Sequence, residues 1–180
     1  MRTALFASLL LGIVAFAADQ PATTPRFVDG NQLVRPEGYH EWVFVGSSLG
    51  MSYSKDSDYN SEPDFQNVYI SPEAYREFRA KGTFPEGTVL VLEIVASGGN
   101  ASINKVGKFE DKILGIEAAV KDSNHFPEKW AYFSFFGPKG EALAQAKPFP
   151  KDACWSCHNP HGEVDNVFVQ FYPVLREAQK

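Results

Sequence analysis

Both cysteines of the chain lie in one five-residue segment near the C-terminus, Cys154-Trp155-Ser156-Cys157-His158. This spacing is typical of a c-type haem attachment site. Each thiol can add to one vinyl group of a porphyrin, and the histidine that follows can bind the iron as its proximal ligand. The segment predicts one covalently attached haem c per chain, so the chain must fold around a large, flat, apolar cofactor. An aromatic content of 14%, with 15 Phe, fits that requirement.

Other uses of a Cys-x-x-Cys pair fit this chain less well. A structural zinc site needs four ligands, usually from two such pairs, and here there is one pair. A thioredoxin-like redox pair normally stands early in the chain, at the start of a helix within a βαβ pattern. A disulfide between Cys154 and Cys157 would leave His158 unexplained.

The N-terminus predicts export. Arg2 precedes an uncharged, largely apolar run over residues 4–16, and Ala15-Phe16-Ala17 is a small-x-small cleavage signal. The run is too short to span the roughly 30 Å of a bilayer core as a helix. We therefore expect a signal peptide over residues 1–17, a loose N-terminal arm over residues 18–35 and a haem domain over residues 36–180. Since bacterial c-type haem is attached after export, the expected location is the periplasm.

The charge balance limits the partners. The formal net charge is −5, and the sequence contains no basic patch. Nucleic acid and, after signal removal, membrane surfaces are therefore excluded as expected partners.

The hydrophobic pattern predicts an α+β fold, a single domain with an antiparallel sheet of about five short strands and a few short helices. Ser71-Pro72-Glu73 marks a helix start, and Gly82 marks its end. The segment 114–121 fits either a strand or a helix, and the segment 141–147 predicts a short helix. The strands are expected at residues 41–49, 65–70, 87–97, 130–136 and 166–172, and a terminal helix is expected from Pro173.

Several segments on both sides of the cysteines resemble the cytochrome P-460 and cytochrome c′-beta family. They are YHEWVFVG (39–46), NVYI (67–70) with Glu73 and Tyr75, FPEGTV (84–89), GIEAAVKDS (115–123), WAY (130–132) and DNVFVQFYPVL (165–175). The resemblance implies an antiparallel sheet domain, usually a homodimer. It also implies a haem iron with a histidine on one side and an open position on the other.

One residue divides this family. Its P-460 members carry a lysine in the strand after the Phe-Pro-Glu-Gly-Thr segment; that lysine bonds to the porphyrin rim, and those members oxidise hydroxylamine. Leu92 stands at the matching position and has no nucleophile. Gln66 likewise replaces a basic residue of the P-460 members. The resemblance is therefore closer to the cytochrome c′-beta branch, whose apolar distal pocket binds small gases, above all nitric oxide.

The open side of the haem needs a distal wall. Leu92, Phe149 and Phe65 are the candidates for that wall, with core packing as the alternative for each. Glu117, a carboxyl in an otherwise apolar run, is either a polar group in the pocket or a solvent-facing strand residue.

Three functions follow from these residues. The first is a five-coordinate gas-binding haem protein that takes nitric oxide and carbon monoxide as a sink, carrier or sensor. The second is an enzyme that oxidises hydroxylamine or nitric oxide, and slow oxidoreductase or peroxidase activity also stays open. The third is an electron-transfer cytochrome with a small redox-protein partner, for which Met51 would be the sixth ligand.

Overall fold

The computed structural model describes residues 23–52 and 62–179. The expected signal peptide over residues 1–17 lies outside the described residues, so it stays a prediction. Within the described ranges, no helix is both long and apolar enough to cross a membrane.

The described chain contains eight strands and three α-helices. The strands are β1 (Phe27–Val28), β2 (Gln32–Val34), β3 (Val43–Leu49), β4 (Phe65–Ile70), β5 (Val89–Gly98), β6 (Phe109–Lys121), β7 (Trp130–Ser134) and β8 (Gln145–Ala146). The helices are α1 (Pro72–Lys81), α2 (Trp155–His161) and α3 (Pro173–Glu177), with short 3-10 helices at Tyr39–Glu41 and Val169–Phe171.

The strands form two antiparallel sheets. The larger sheet has the order β3-β4-β5-β6-β7, so strands that follow each other in the chain also pair in space. The smaller sheet has the order β1-β2-β8. The predicted α+β single domain with a five-stranded antiparallel sheet is confirmed, and segment 114–121 belongs to a strand, β6.

Helix α1 begins and ends where the sequence predicts. Pro72 occupies its first turn, and Gly82 follows its last residue with a φ of 70°. Glycine adopts this left-handed conformation without steric cost, which ends the helix cleanly. Ser71 precedes the helix as expected, but its hydroxyl makes no capping hydrogen bond.

The central strand β5 separates two hydrophobic cores. Val89 and Val91 belong to one core, on the face that also carries Glu93, while Leu90 and the partly buried Leu92 belong to the other. The sequence favours the leucine face as the buried one. The valine face is in fact more deeply buried, because Leu92 borders a cavity.

Three predicted elements differ from the structure. The segment 141–147 contains β8 rather than a helix, and the segment 166–172 contains a turn and a 3-10 helix rather than a strand. Part of the expected loose arm forms β1 and β2 instead, and Leu33 is buried in the core. In each case long-range pairing or burial outweighs the local pattern.

Candidate functional site

A cavity of about 310 Å³ lies between the leucine face of the large sheet and the C-terminal segment that contains α2. Its wall is mostly apolar. The sheet contributes Val68, Leu90, Leu92, Glu117, Ala119 and Tyr132, and the C-terminal segment contributes Cys154, Cys157, His158, Asn166 and Phe168. A cavity of this size and composition is typical of a cofactor or small-molecule site.

Helix α2 explains why all three residues of the haem motif reach this cavity. Cys154 precedes the helix, Cys157 follows three positions later and His158 four positions later. Residues at these intervals lie on the same helix face. The backbone N–H groups of Cys157 and His158 both donate to the carbonyl of Cys154, at 3.1 and 3.0 Å. The two thiols and the imidazole are therefore presented together.

Contacts outside the cavity fix the start of α2. The indole Nε1 of Trp155 donates to the carbonyl of Glu128 at 3.2 Å. The ammonium of Lys151 lies 4.4 Å from the centre of the Trp155 ring and also pairs with the Glu128 carboxylate at 3.2 Å. These contacts tie the first turn of α2 to the loop before β7, so the intervening Trp of the motif has a structural role.

The imidazole of His158 is held on three sides. Its ring centre lies 4.4 Å from those of Tyr132 and Phe168, and its Nδ1 lies 2.9 Å from the carbonyl oxygen of Asn166. A carbonyl can only accept, so Nδ1 carries the proton and the Nε2 lone pair is available to a metal. Burial lowers the pKa of His158, although the Asn166 carbonyl opposes that shift. The neutral form that binds iron is thereby favoured.

The cysteines lack the features of the alternative sites. The two sulfurs are not bonded to each other. Burial, with smaller contributions from Glu117 and Cys157, raises the pKa of the Cys154 thiol, whereas a redox-active thiol needs a lowered pKa. Within residues 23–52 and 62–179, no group of three or more His, Cys, Asp or Glu side chains is arranged to hold a metal ion. Neither a redox pair nor a zinc centre is therefore favoured.

Two buried polar atoms in the cavity wall test whether a haem fits. Tyr132 Oη and Asn166 Nδ2 are buried and neither meets strict hydrogen-bond geometry, although the Asn166 side chain interacts with the Tyr132 hydroxyl. Nδ2 can donate toward Oη, so the hydroxyl proton of Tyr132 is the donor that still calls for an acceptor inside the cavity. Haem carries two propionate carboxylates that can accept hydrogen bonds. With two thiols, a neutral imidazole and apolar walls, the residues fit a covalently attached haem.

Among the three predicted distal residues, Leu92 alone lines the cavity. Phe149 is 40% exposed and lies outside the lining. Phe65 lies on the opposite face of the sheet, paired with Leu49 and Val95. The structure therefore brings Leu92, Cys154, Cys157 and His158 together and leaves the two phenylalanines apart.

Two residues with open interpretations also line the cavity. Glu117 borders it, and burial raises the pKa of the Glu117 carboxyl, so this residue is a pocket residue rather than a solvent-facing one. Met51 borders it as well, and its carbonyl accepts a hydrogen bond from Gln66 Nε2 at 3.2 Å.

Sequence reasoning does not identify Tyr132, Phe168 or Asn166 as site residues. Tyr132 and Phe168 stand in segments that resemble the family, but their patterns predict only strands. Asn166 acts through its backbone carbonyl, which carries no sequence signal. The only hint is Asp165-Asn166, a pair of residue types that tolerate a left-handed turn.

Comparison with known proteins identifies one family. A family model described as Cytochrome P460 matches residues 36–169 of the 180. The matched segment includes the sheet, the three residues of the motif that face the cavity, and the turn at Asn166. No curated protein matches the chain.

Proposed function

The chain belongs to the cytochrome P460 family, and we propose that it is an exported c-type haem protein whose five-coordinate iron binds small uncharged gases, chiefly nitric oxide. Cys154 and Cys157 anchor one haem c through thioether bonds, and His158 is the proximal ligand. The family accounts for the haem.

The observation that carries the proposal is Leu92 in the cavity wall. This is the position at which P-460 members carry the lysine that bonds to the porphyrin. Leu92 lines the cavity, on the same strand face as Leu90 and directly across from Glu117 on the neighbouring strand. An alkyl side chain cannot form that bond, and it offers no charge to attract a polar substrate. This favours the gas-binding cytochrome c′-beta branch over hydroxylamine oxidation.

The residues that line the cavity suit the binding of small uncharged gases. Bound haem would supply an iron that takes a diatomic ligand at its open position. Neutral His158 leaves Nε2 for that iron, and the mostly apolar wall, in which burial shifts the Glu117 carboxyl toward its neutral form, disfavours charged ligands. Uncharged nitric oxide and carbon monoxide lose little hydration on entry, so they are the expected ligands.

Electron transfer is the second candidate function, and Met51 is the observation that favours it. Met51 lines the cavity, and it is the only methionine outside the expected signal peptide. A thioether at the open position would give a six-coordinate iron of the electron-transfer type, served by a small redox-protein partner.

One set of measurements on the purified holoprotein separates these functions. Intact mass should equal that of the chain without residues 1–17 plus one haem, and it should stay so under denaturing conditions. The ferrous protein should have a five-coordinate spectrum, take up nitric oxide tightly and take up carbon monoxide more weakly. Met51→Leu should leave the spectrum and both affinities unchanged.

The opposite results have distinct meanings. A six-coordinate low-spin ferrous spectrum that Met51→Leu converts to a five-coordinate one would support the electron carrier. Rapid hydroxylamine oxidation with turnover would support the enzyme. A mass without haem, or haem lost on denaturation, would contradict covalent attachment.

A homodimer is the proposed assembly. Phe44, Leu49 and Ile113 are each between 45% and 47% exposed and lie on the sheet face opposite the cavity. An apolar patch on a sheet face favours burial against a second copy. Phe44→Ser with Ile113→Ser should shift sedimentation from dimer to monomer while the haem spectrum stays unchanged; a wild-type monomer would contradict the assembly.

A further inference from the structure

We propose that Gly162 and Lys121 are positioning residues for His158, which act on its imidazole through the backbone of Asn166. The inference rests on the proposed role of His158 as iron ligand. It concerns the hydrogen bond from Nδ1 of His158 to the Asn166 carbonyl, at 2.9 Å. This bond sets the orientation and basicity of the imidazole. Residues that hold the Asn166 carbonyl in place therefore affect the iron–histidine bond and the reduction potential of the iron.

The carbonyl belongs to a tight turn. Val164 and Val167 exchange backbone hydrogen bonds, at 3.3 Å and 2.9 Å, and the two residues between them have φ values of 48° and 66°. Two consecutive left-handed residues are typical of a type I′ turn, which usually contains glycine. Here Asp165 and Asn166 occupy both positions. This conformation is costly for residues other than glycine, so the surroundings must hold it.

Gly162 forms one support of the turn. A Cβ atom added at Gly162 would lie 2.6 Å from the carbonyl carbon of Asn166, 2.8 Å from its Cα and 2.8 Å from the carbonyl oxygen of His158. All three are backbone atoms, so no side-chain rotation can relieve the contact. A hydrogen atom at this position lets the Asn166 peptide lie against the end of α2, within reach of the imidazole that α2 carries.

Lys121 forms the other support. Its ammonium lies 2.5 Å from the Asp165 carboxylate and donates to the carbonyl of Phe84 at 2.7 Å. The side chains of Lys121 and Asp165 are 13% and 27% exposed, so the pair is partly shielded from solvent. Charge-assisted hydrogen bonds in such a setting are stronger than neutral ones. Lys121 ends β6, so this pair ties the turn to the large sheet.

The two supports hold the same turn through separate contacts, one at Asn166 and one at Asp165. The end of α2 limits how the Asn166 peptide can move, and the sheet holds the preceding residue. Loss of either should lengthen or misalign the Nδ1–H to carbonyl bond. A weaker bond makes the imidazole less basic, which weakens its bond to iron and favours the ferrous state.

The test uses the holoprotein and two readouts that a change of fold stability alone does not move. These are the iron–histidine stretching frequency of the ferrous protein, by resonance Raman spectroscopy, and the reduction potential. The variants are Gly162→Ala and Lys121→Met. Lys121→Arg keeps the charge, Gly99→Ala adds a methyl group where the nearest atom is 3.6 Å away, and Lys112→Met removes an exposed lysine of the same strand.

We expect Gly162→Ala and Lys121→Met to lower the stretching frequency and raise the potential, with the larger change in Gly162→Ala. Lys121→Arg should be intermediate, and both control variants should match the wild type. If Gly162→Ala yields no folded holoprotein, Lys121→Met decides. An unchanged frequency and potential in Lys121→Met would overturn the inference while the proposed function stands. Absence of an iron–histidine band in the wild type would overturn both the inference and the proposed role of His158. Persistence of that band in His158→Ala would do the same.

Discussion

Leu92 and Glu117 are direct cross-strand neighbours on β5 and β6, and both line the same cavity. An aliphatic side chain and a carboxyl thus form adjacent parts of one wall. The resemblance implies an apolar distal pocket, whereas this wall is mixed. Since burial raises the pKa of Glu117, the carboxyl is shifted toward its neutral form and can donate a hydrogen bond.

Leu92→Ala should enlarge the cavity and speed ligand entry. The loss of three packed side-chain carbons at a partly buried site should lower the free energy of unfolding by about 2 kcal/mol, the low end for leucine in a core. Stopped-flow carbon monoxide binding and guanidinium unfolding measure the two effects. Ile103→Ala, at a residue 91% exposed and outside both the cavity lining and the proposed dimer patch, is the control and should change neither. An unchanged association rate in Leu92→Ala would place Leu92 away from the ligand path.

Glu117→Gln should remove a pH dependence of stability. The folded-state pKa of Glu117 lies above the ordinary value of about 4.3, so the folded chain holds this proton more tightly than the unfolded chain. The stabilisation that protonated Glu117 gives the folded state is fully present below the ordinary carboxyl pKa. It is lost as the pH rises through the higher folded-state pKa. Unfolding of the holoprotein at a series of pH values from 4 to about 8 should show a shallower fall for the variant.

The control for Glu117 is Glu77→Gln, which changes an exposed carboxylate on α1. This variant should keep the wild-type pH profile. A wild-type profile in Glu117→Gln would mean that folding leaves the pKa of Glu117 unchanged in the holoprotein, which would contradict the expected effect of burial.

Tyr132→Phe tests whether the cavity supplies an acceptor. If the buried hydroxyl donates to a haem propionate, its loss from the holoprotein should lower the free energy of unfolding by about 1–3 kcal/mol. If it has no acceptor, its removal should raise that free energy instead, because an unsatisfied buried group disappears. Guanidinium unfolding gives the sign directly. Tyr75→Phe on helix α1, outside the cavity lining, is the control and should have little effect.

Local signals in the sequence predict the elements that depend on local chemistry. Pro72 and Gly82 bound α1 because their backbone preferences act within one turn. The Cys-x-x-Cys-His spacing likewise identifies three cavity residues, since a single short helix presents them.

The incorrect or missing predictions concern residues whose structure depends on contacts between distant segments. Val167, Phe168 and Val169 are all buried, so the apolar run that predicts a strand instead folds as a turn and a 3-10 helix against the sheet. Phe149 is close to Cys154 in sequence, yet its backbone N–H bonds to the carbonyl of Tyr132, and its ring stays outside the cavity lining. The carbonyl of Asn166 could not be predicted at all, because every residue has one.

Leu92→Lys tests the assignment to the gas-binding branch. Loss of water around a lysine in this wall would lower its pKa, and a neutral amine could ligate iron or attack the porphyrin rim under peroxide. Glu117 lies directly opposite, however, and an ionised carboxylate there would keep the lysine charged through a cross-strand pair. The double variant Leu92→Lys with Glu117→Gln removes that partner. We therefore expect the double variant to change the absorption spectrum and slow nitric oxide binding more than Leu92→Lys alone. Intact mass after peroxide treatment and proteolysis would detect a lysine bonded to haem. If both variants keep the wild-type spectrum and nitric oxide affinity, Leu92 does not face the haem, and the argument from leucine to gas binding fails.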